Sequence, residues 1–144
     1  MIRLADTTDI EAIAGLEREI FGADAWSVAQ VAADVEAPLR PVVVAEVEGV
    51  VVGYAVIALA GDIADLMRIA VRESFRRAGV ASRLSDDVER LGAAAGAARM
   101  ALEVAASNAA AQDFYGARGY LEIARRRAYY ANGDDALVMV RALG

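Results

Sequence analysis

The chain has no cysteine, no histidine and no lysine; all fifteen of its basic residues are arginine. Without cysteine there are no disulfides, no thiolate nucleophile and no sulfur-ligated zinc. Without histidine most of the remaining zinc chemistry goes as well, so no metal is expected. The side chains most often recruited for proton shuttling and covalent attack are therefore missing. Long apolar runs are missing too: none approaches the ~20 residues of a membrane span. Met1-Ile2-Arg3 leads straight into patterned sequence, so a cytoplasmic location and no membrane partner are expected. Positive charge is scarce, and a net charge of −6 argues against direct nucleic-acid binding, whose footprint is basic.

What is present fits one folded unit spanning residues 1–144, large enough to bury a sizeable core. Hydrophobic residues make up 58% of the chain, much of it Ala and Val, against 25% charged, a globular rather than disordered balance. The charge is unevenly spread. Residues 1–66 hold three arginines against twelve acids, whereas residues 68–83 hold Arg68, Arg72, Arg76, Arg77 and Arg83 against Glu73 alone. Such a basic stretch suits an anionic ligand of limited size; unequal surfaces that keep the protein soluble explain it equally well.

Periodicity divides the chain into alternating elements. Residues Ile2–Ala5 read as a short strand, and Asp6–Phe21 as a helix with Ile10, Ile13, Leu16 and Ile20 at helical spacing. Ser27 and Gln30 form a capping box that opens a second helix over Ser27–Val35. Pro41–Leu59 is two β-rich runs turning at Glu48-Gly49, and Ala64–Val71 is a further strand. Arg72–Ala81 lacks an apolar period and reads as a loop before a helix over Ser82–Ala95. Strand Ala98–Val104, helix Asn108–Ala117 ended by Gly119, and strands Tyr120–Tyr130 and Asp135–Leu143 follow. This β-α-α-β-β-β-α-β-α-β-β order predicts an α/β fold with a mixed sheet. The unit from Asp65 to Val104 implies two parallel strands joined by a crossover, and ligands bind where helix and strand ends meet in such folds.

Two stretches carry chemistry. Arg76-Arg77-Ala78-Gly79-Val80-Ala81-Ser82 puts glycine and small residues at a helix start, where free N–H groups bind phosphate. It lacks the spacing and lysine of a Walker loop and the three glycines of a dinucleotide fingerprint, so an ordinary flexible helix entry remains an alternative. The second stretch, LEVAASNAAAQDFYGARGY (Leu102–Tyr120), holds an acid and a phenol, Glu103 and Tyr115.

Together these stretches resemble the GNAT N-acetyltransferase superfamily. Arg76–Ala81 is similar to its R/Q-x-x-G-x-G/A acetyl-CoA motif. Asn108, Ala111, Tyr115, Gly119 and Tyr120 are similar to its N-x-x-A-x-x-x-Y-x-x-x-G-F/Y motif. Within the superfamily, LEVAASNAAAQDFY, Arg126–Tyr130 and Asp134–Met139 resemble the RimI-type ribosomal-protein-alanine N-acetyltransferases. Asp24–Ser27 matches that group's P-W-S segment with Ala25 in place of Pro, while Ile63 replaces an acid and Ala81 a second glycine.

The resemblance implies a mixed sheet of about seven strands with about four helices, acetyl-CoA as co-substrate, and the N-terminus of a ribosomal protein as the other substrate. It implies that backbone N–H groups from Arg77 to Ser82 hold the pyrophosphate, with Arg76 in the same motif. It also implies that the backbone of Ile69, Ala70 and Val71 meets the acetyl and pantetheine portion, and that Asn108 contacts the cofactor. Glu103 is then the general base and Tyr115 the general acid; their alternative roles are an acid paired to an arginine and a half-buried packing residue. Trp26, Tyr129 and Tyr130 are candidates to line a peptide groove, or core aromatics. Arg125–Arg127 reads as a solvated strand face, Asp134 and Asp135 as solvated loop carboxylates. A monomer is favoured.

Acetyl transfer to an amine accounts for the missing nucleophiles, because the amine attacks the thioester directly. Deprotonating an α-amine of pKa ~7.7–8.0 at neutral pH costs only about 1–1.4 kcal/mol, against about 4.6 kcal/mol for a lysine side chain. A carboxylate acting through water therefore suits N-terminal substrates better. The alternatives are acetylation of a small amine or of lysine side chains, and a non-catalytic acetyl-CoA-binding subunit.

Overall fold

The computed structural model describes residues 1–144. Seven strands form one sheet: β1 (Ile2–Leu4), β2 (Val42–Val47), β3 (Val50–Ala60), β4 (Ile63–Val71), β5 (Arg99–Ala105), β6 (Leu121–Arg126) and β7 (Ala136–Ala142). Four helices, α1 (Ile10–Phe21), α2 (Val28–Glu36), α3 (Val80–Ala94) and α4 (Ala109–Ala117), complete the chain. The α/β class, the element order and the mixed sheet agree with the sequence expectation.

The strand order is β1-β2-β3-β4-β5-β7-β6, with every neighbouring pair antiparallel except β4 and β5. Alternation along β2 explains the two core layers. Val43 and Ala45 enter a cluster with Leu84 and Val88 of α3, while Val42 and Val44 meet Ile13 and Leu16 of α1 on the other face. The hairpin between β2 and β3 turns at Glu48 and Gly49, both at positive φ (51° and 79°), the two-residue geometry that matches strand twist.

Local chemistry sets most helix boundaries. Asp6 and Asp9 form a reciprocal capping box that leads into α1, and Ser27 and Gln30 form the expected one before α2. Helix α3 begins at Val80 rather than Ser82, because Val80, ahead of the expected polar start, packs into the core one turn before Leu84. The preceding loop contains a 3-10 turn at Glu73–Phe75. The strand expected over Tyr120–Tyr130 stops at Arg126, so Tyr129 and Tyr130 lie in the loop before β7.

One irregularity positions everything that follows. Val56 pairs with Arg68 and Ile57 with Leu66, leaving Met67 as an extra residue on β4. Such a bulge bends its strand. Parallel pairing of β4 with β5 ends at the same level, at Leu66–Leu102. Beyond it β4 continues on β3 alone to Val71, and β5 continues on β7 alone to Ala105. The sheet is split there.

Candidate active site

The split exposes backbone. Arg72 N–H donates to the Val52 carbonyl at 2.7 Å, which fixes the alternation along the β3–β4 ladder. The peptide groups of Ala70 and Arg68 are thereby turned toward β3, and those of Ile69 and Val71 toward the split. Of the three residues expected to offer backbone there, Ile69 and Val71 do so, and Ala70 spends its groups on Tyr54. Arg76 Nε already donates to the Val71 carbonyl at 3.1 Å, at the far end of this free edge.

Helix α3 starts beside that end. Its first intrahelical hydrogen bond runs from Arg83 N–H to the Gly79 carbonyl at 3.1 Å, so the N–H groups of Val80, Ala81 and Ser82 precede it. No side chain caps this start and no acid stands in its first turn, whereas Ser27 and Asn108 cap α2 and α4. Gly79 at φ 81° and Arg77 at φ 64° curve the approaching loop through left-handed conformations. An uncapped helix start after such a curve suits an anion. The cationic side chains nearby are fewer than the sequence count suggests. Arg68 is held by Glu17, Arg72 by Glu19, and Arg76 by the Val71 carbonyl, leaving Arg77 and Arg83 without such partners. An open groove of about 610 Å³ lined by Glu19, Ile20, Arg72, Glu73, Ser74 and Arg76 borders the same loop.

The acid and the phenol flank the split end of β5. Glu103 is the first residue beyond the last β4–β5 pair, and its side chain points away from Leu102 and Val104, which are buried against the α3 side. It is one-third exposed and lies 3.5 Å from Arg126 Nε. The ion pair considered as its alternative role is thus present, on a face that solvent and a substrate can reach. Tyr115 lies on the other side of β5, in the same cluster as Leu102 and Val104, and is only 7% exposed. Its ring meets Phe114 at 5.1 Å and Tyr120 at 5.5 Å, both edge to face. Burial pushes its phenol up to about 12. Asn108 N-caps α4, accepting from Ala111 N–H at 3.1 Å, so its carbonyl oxygen has a structural task already.

Two sequence readings need correction. Asp134 is not merely solvated: it accepts from both the backbone and the hydroxyl of Ser107, tying the β6–β7 loop to the β5–α4 loop. Asp135 accepts from Ala128 N–H and pairs with Arg125, which shapes the same loop from within. With Arg126 on Glu103, two of the three arginines of Arg125–Arg127 are thus engaged rather than simply solvated. The tied loop carries Tyr129 and Tyr130, packed edge to face at 5.1 Å. Burial, with Glu103 and Asp134 nearby, raises the Tyr130 phenol, so Tyr130 stands near the acid. Trp26 lies elsewhere, beside Arg68, whose guanidinium also covers Phe21 and grips the buried Glu17 with two hydrogen bonds.

Sequence reasoning missed the support beneath Tyr115. Glu89, 8% exposed on α3, accepts from Arg118, Arg141 and the Tyr120 hydroxyl at 2.7–2.8 Å. Its signal was legible in principle. Leu84, Ser85, Val88 and Glu89 repeat at helical spacing, and an acid on that apolar stripe has to find cations.

Comparison with known proteins gives this arrangement a context. A family model described as Acetyltransferase (GNAT) family matches residues 10–120. An N-alpha-acetyltransferase of Sulfurisphaera tokodaii is 33% identical over 113 residues, covering 69% of this chain and 68% of that protein. The crystal structure of the ribosomal-protein-S18-alanine N-acetyltransferase from Escherichia coli superposes with a TM-score of 0.90 at 29% identity, over 100% of this chain and 94% of that one. Ard1 from Thermoplasma volcanium superposes with a TM-score of 0.87 at 27% identity, over 100% and 97%.

Proposed function

The chain belongs to the acetyltransferase (GNAT) family, whose acyl donor is acetyl-CoA, and we propose that its acceptor is the N-terminal α-amine of a protein, in particular a ribosomal protein beginning with alanine. Residues 1–144 act as one catalytic domain in this reading. The observation that carries it is the split between β4 and β5, which opens free backbone, an uncapped helix start, a carboxylate and a buried phenol at one place. Likeness to the N-alpha-acetyltransferase of Sulfurisphaera and the ribosomal-protein-S18-alanine N-acetyltransferase of Escherichia supports an α-amine acceptor.

The residues present fit the donor. The N–H groups of Val80, Ala81 and Ser82, with the curved loop Arg76–Gly79 before them, hold its diphosphate. The free peptide groups of Ile69 and the N–H of Val71, whose carbonyl is taken by Arg76, pair with its amide-bearing arm as a further strand would. Asn108 borders this arm from the start of α4. Bound there, the donor supplies a thioester carbonyl and, after transfer, a thiolate.

The chain's own residues then only move protons. Glu103, through a water, takes a proton from the incoming ammonium, a step that costs little for an α-amine. Tyr115 returns a proton to the departing sulfur from the opposite side of β5. Tyr129 and Tyr130, on the loop tied by Asp134, line the approach to Glu103.

The test pairs a peptide starting with Ala against its N-blocked, lysine-containing twin, each with acetyl-CoA. Acetylation of the free N-terminus is expected, and its loss in Glu103→Gln. Labelling of the blocked twin alone refutes the reading. Undiminished turnover in both Glu103→Gln and Tyr115→Phe refutes the assigned chemistry.

A further inference from the structure

Every other ion pair in the chain is accompanied by a hydrogen bond between the same side chains; Arg126–Glu103 is not. Arg3 grips Asp9 through two nitrogens at 2.7 and 2.9 Å, and Arg68 grips Glu17 at 2.8 and 3.1 Å. Arg126 instead comes no nearer than 3.5 Å, through Nε, with its side chain 59% exposed. The sheet register explains how it reaches at all. Arg126 lies opposite Ala136 on β7, and Ala136 lies opposite Ala105 on β5. The arginine therefore passes over small side chains to a carboxylate two residues back on β5. A second resting place lies beside it, since the guanidinium carbon also stands 5.7 Å from the Tyr129 ring centre.

We infer that Arg126 is a positioning residue for Glu103: its guanidinium stands where the substrate's ammonium must arrive, yields that place toward Tyr129, and remains close enough to favour loss of the ammonium proton. The inference rests on the N-terminal-amine reading above. A loose, half-solvated ion pair is worth about 0–1 kcal/mol, so an incoming ammonium exchanges for it readily. The displaced cation then acts on the incoming amine, making its protonated form beside Glu103 less favourable. The other groups facing Glu103 are the phenol of Tyr130 and, behind it, the Asp134 carboxylate on the β6–β7 loop; the residue opposite on β7 is Val138, which carries no charge.

The experiment measures kcat at saturating Ala-starting peptide, which reports ionisations in the bound complex, from pH 5.5 to pH 10 in the wild type, Arg126→Ala and Arg126→Lys. Loss of the cation lets the bound ammonium keep its proton to higher pH. The acidic limb of Arg126→Ala is therefore expected to move up by roughly half a unit to one unit, the effect of a unit charge ~6 Å away in a well-solvated site. Arg126→Lys is expected to restore the wild-type limb, with KM for acetyl-CoA unchanged in both variants. A profile for Arg126→Ala that superposes on an active wild type overturns the role of Arg126 and leaves the function standing. A wild type that does not acetylate the free N-terminus overturns the function and this inference together. A lowered KM for acetyl-CoA binding in Arg126→Lys that is shared by Arg126→Ala, with no shifted limb, also overturns it.

Discussion

Tyr115 poses a question of scale at a single residue. Burial lifts its phenol to about 12, well above the ~8.5 of an ordinary thiol. Proton transfer to sulfur would run uphill if only the phenol were buried. The thiolate forms in the same sheltered place, and burial penalises both anions alike, so the remaining cost is the ordinary difference of about 1.5 units, roughly 2 kcal/mol. A group raised to about 12 stays protonated far above neutral pH. Activity that needs the Tyr115 proton is therefore expected to remain flat on the alkaline side to about pH 10, and a fall near pH 8–9 that disappears in Tyr115→Phe contradicts this. At neutral pH Tyr115→Phe is expected to lower kcat by about 10²–10⁴-fold, the usual range for general acid–base catalysis. The fold should tolerate it, since the hydroxyl alone is removed and the contacts with Phe114 and Tyr120 are made by the ring.

At the level of elements, the start of α3 and the bulge in β4 do complementary work. Met67 bends β4 off β5 and so frees backbone along one wall, while Gly79 lets the loop turn into α3 without a capping side chain. Gly79 has open space around the position of a β-carbon, so Gly79→Ala causes no collision. Its cost is conformational, about 1–2 kcal/mol for forcing a residue with a side chain into the left-handed region. The expected outcome is a melting temperature lower by several degrees, with weaker acetyl-CoA binding by calorimetry, because relaxing the strain moves the N–H groups of Val80, Ala81 and Ser82. Unchanged affinity beside a lowered melting temperature would separate the loop's shape from donor binding.

Across the whole molecule, Glu89 joins parts that the sheet alone does not. Through Arg118, Tyr120 and Arg141 it ties α3 to the segment after α4 and to β7. The Tyr120 phenol is held well above its usual range by burial and by that bond, so it donates throughout. Neutralising Glu89 leaves Arg141 without its counter-charge and Arg118 with Asp86 alone. Arg141 is partly exposed and keeps some hydration, which moderates the loss. Glu89→Gln is expected to cost about 2–3 kcal/mol in urea denaturation, a large share of the ~5–15 kcal/mol typical of such a chain. A loss below half of that would mean that water replaces the ion pairs.

The sequence by itself determined the element order, the capping of α2, the Glu48-Gly49 hairpin and the place of both motifs, because these depend on period and local backbone chemistry. It also held the residue types that leave only proton transfer to the protein. Tertiary structure decided what distant residues do to one another. Which peptide groups of β4 stay free depends on the β3 register and the Met67 bulge, so Ile69 and Val71 are separated from Ala70 only in three dimensions. Asp134 reads as an ordinary loop acid until Ser107 is brought to it, and Arg126 as a surface arginine until β7 carries it within reach of Glu103. Charge counting along the chain marked residues 68–83 as basic, yet folding spends Arg68 on Glu17 and Arg72 on Glu19. The physical reason is common to all of these: hydrogen-bond partners and electrostatic neighbours are set by distance in space, and spacing in sequence reports them only within a turn, a helix or a single strand.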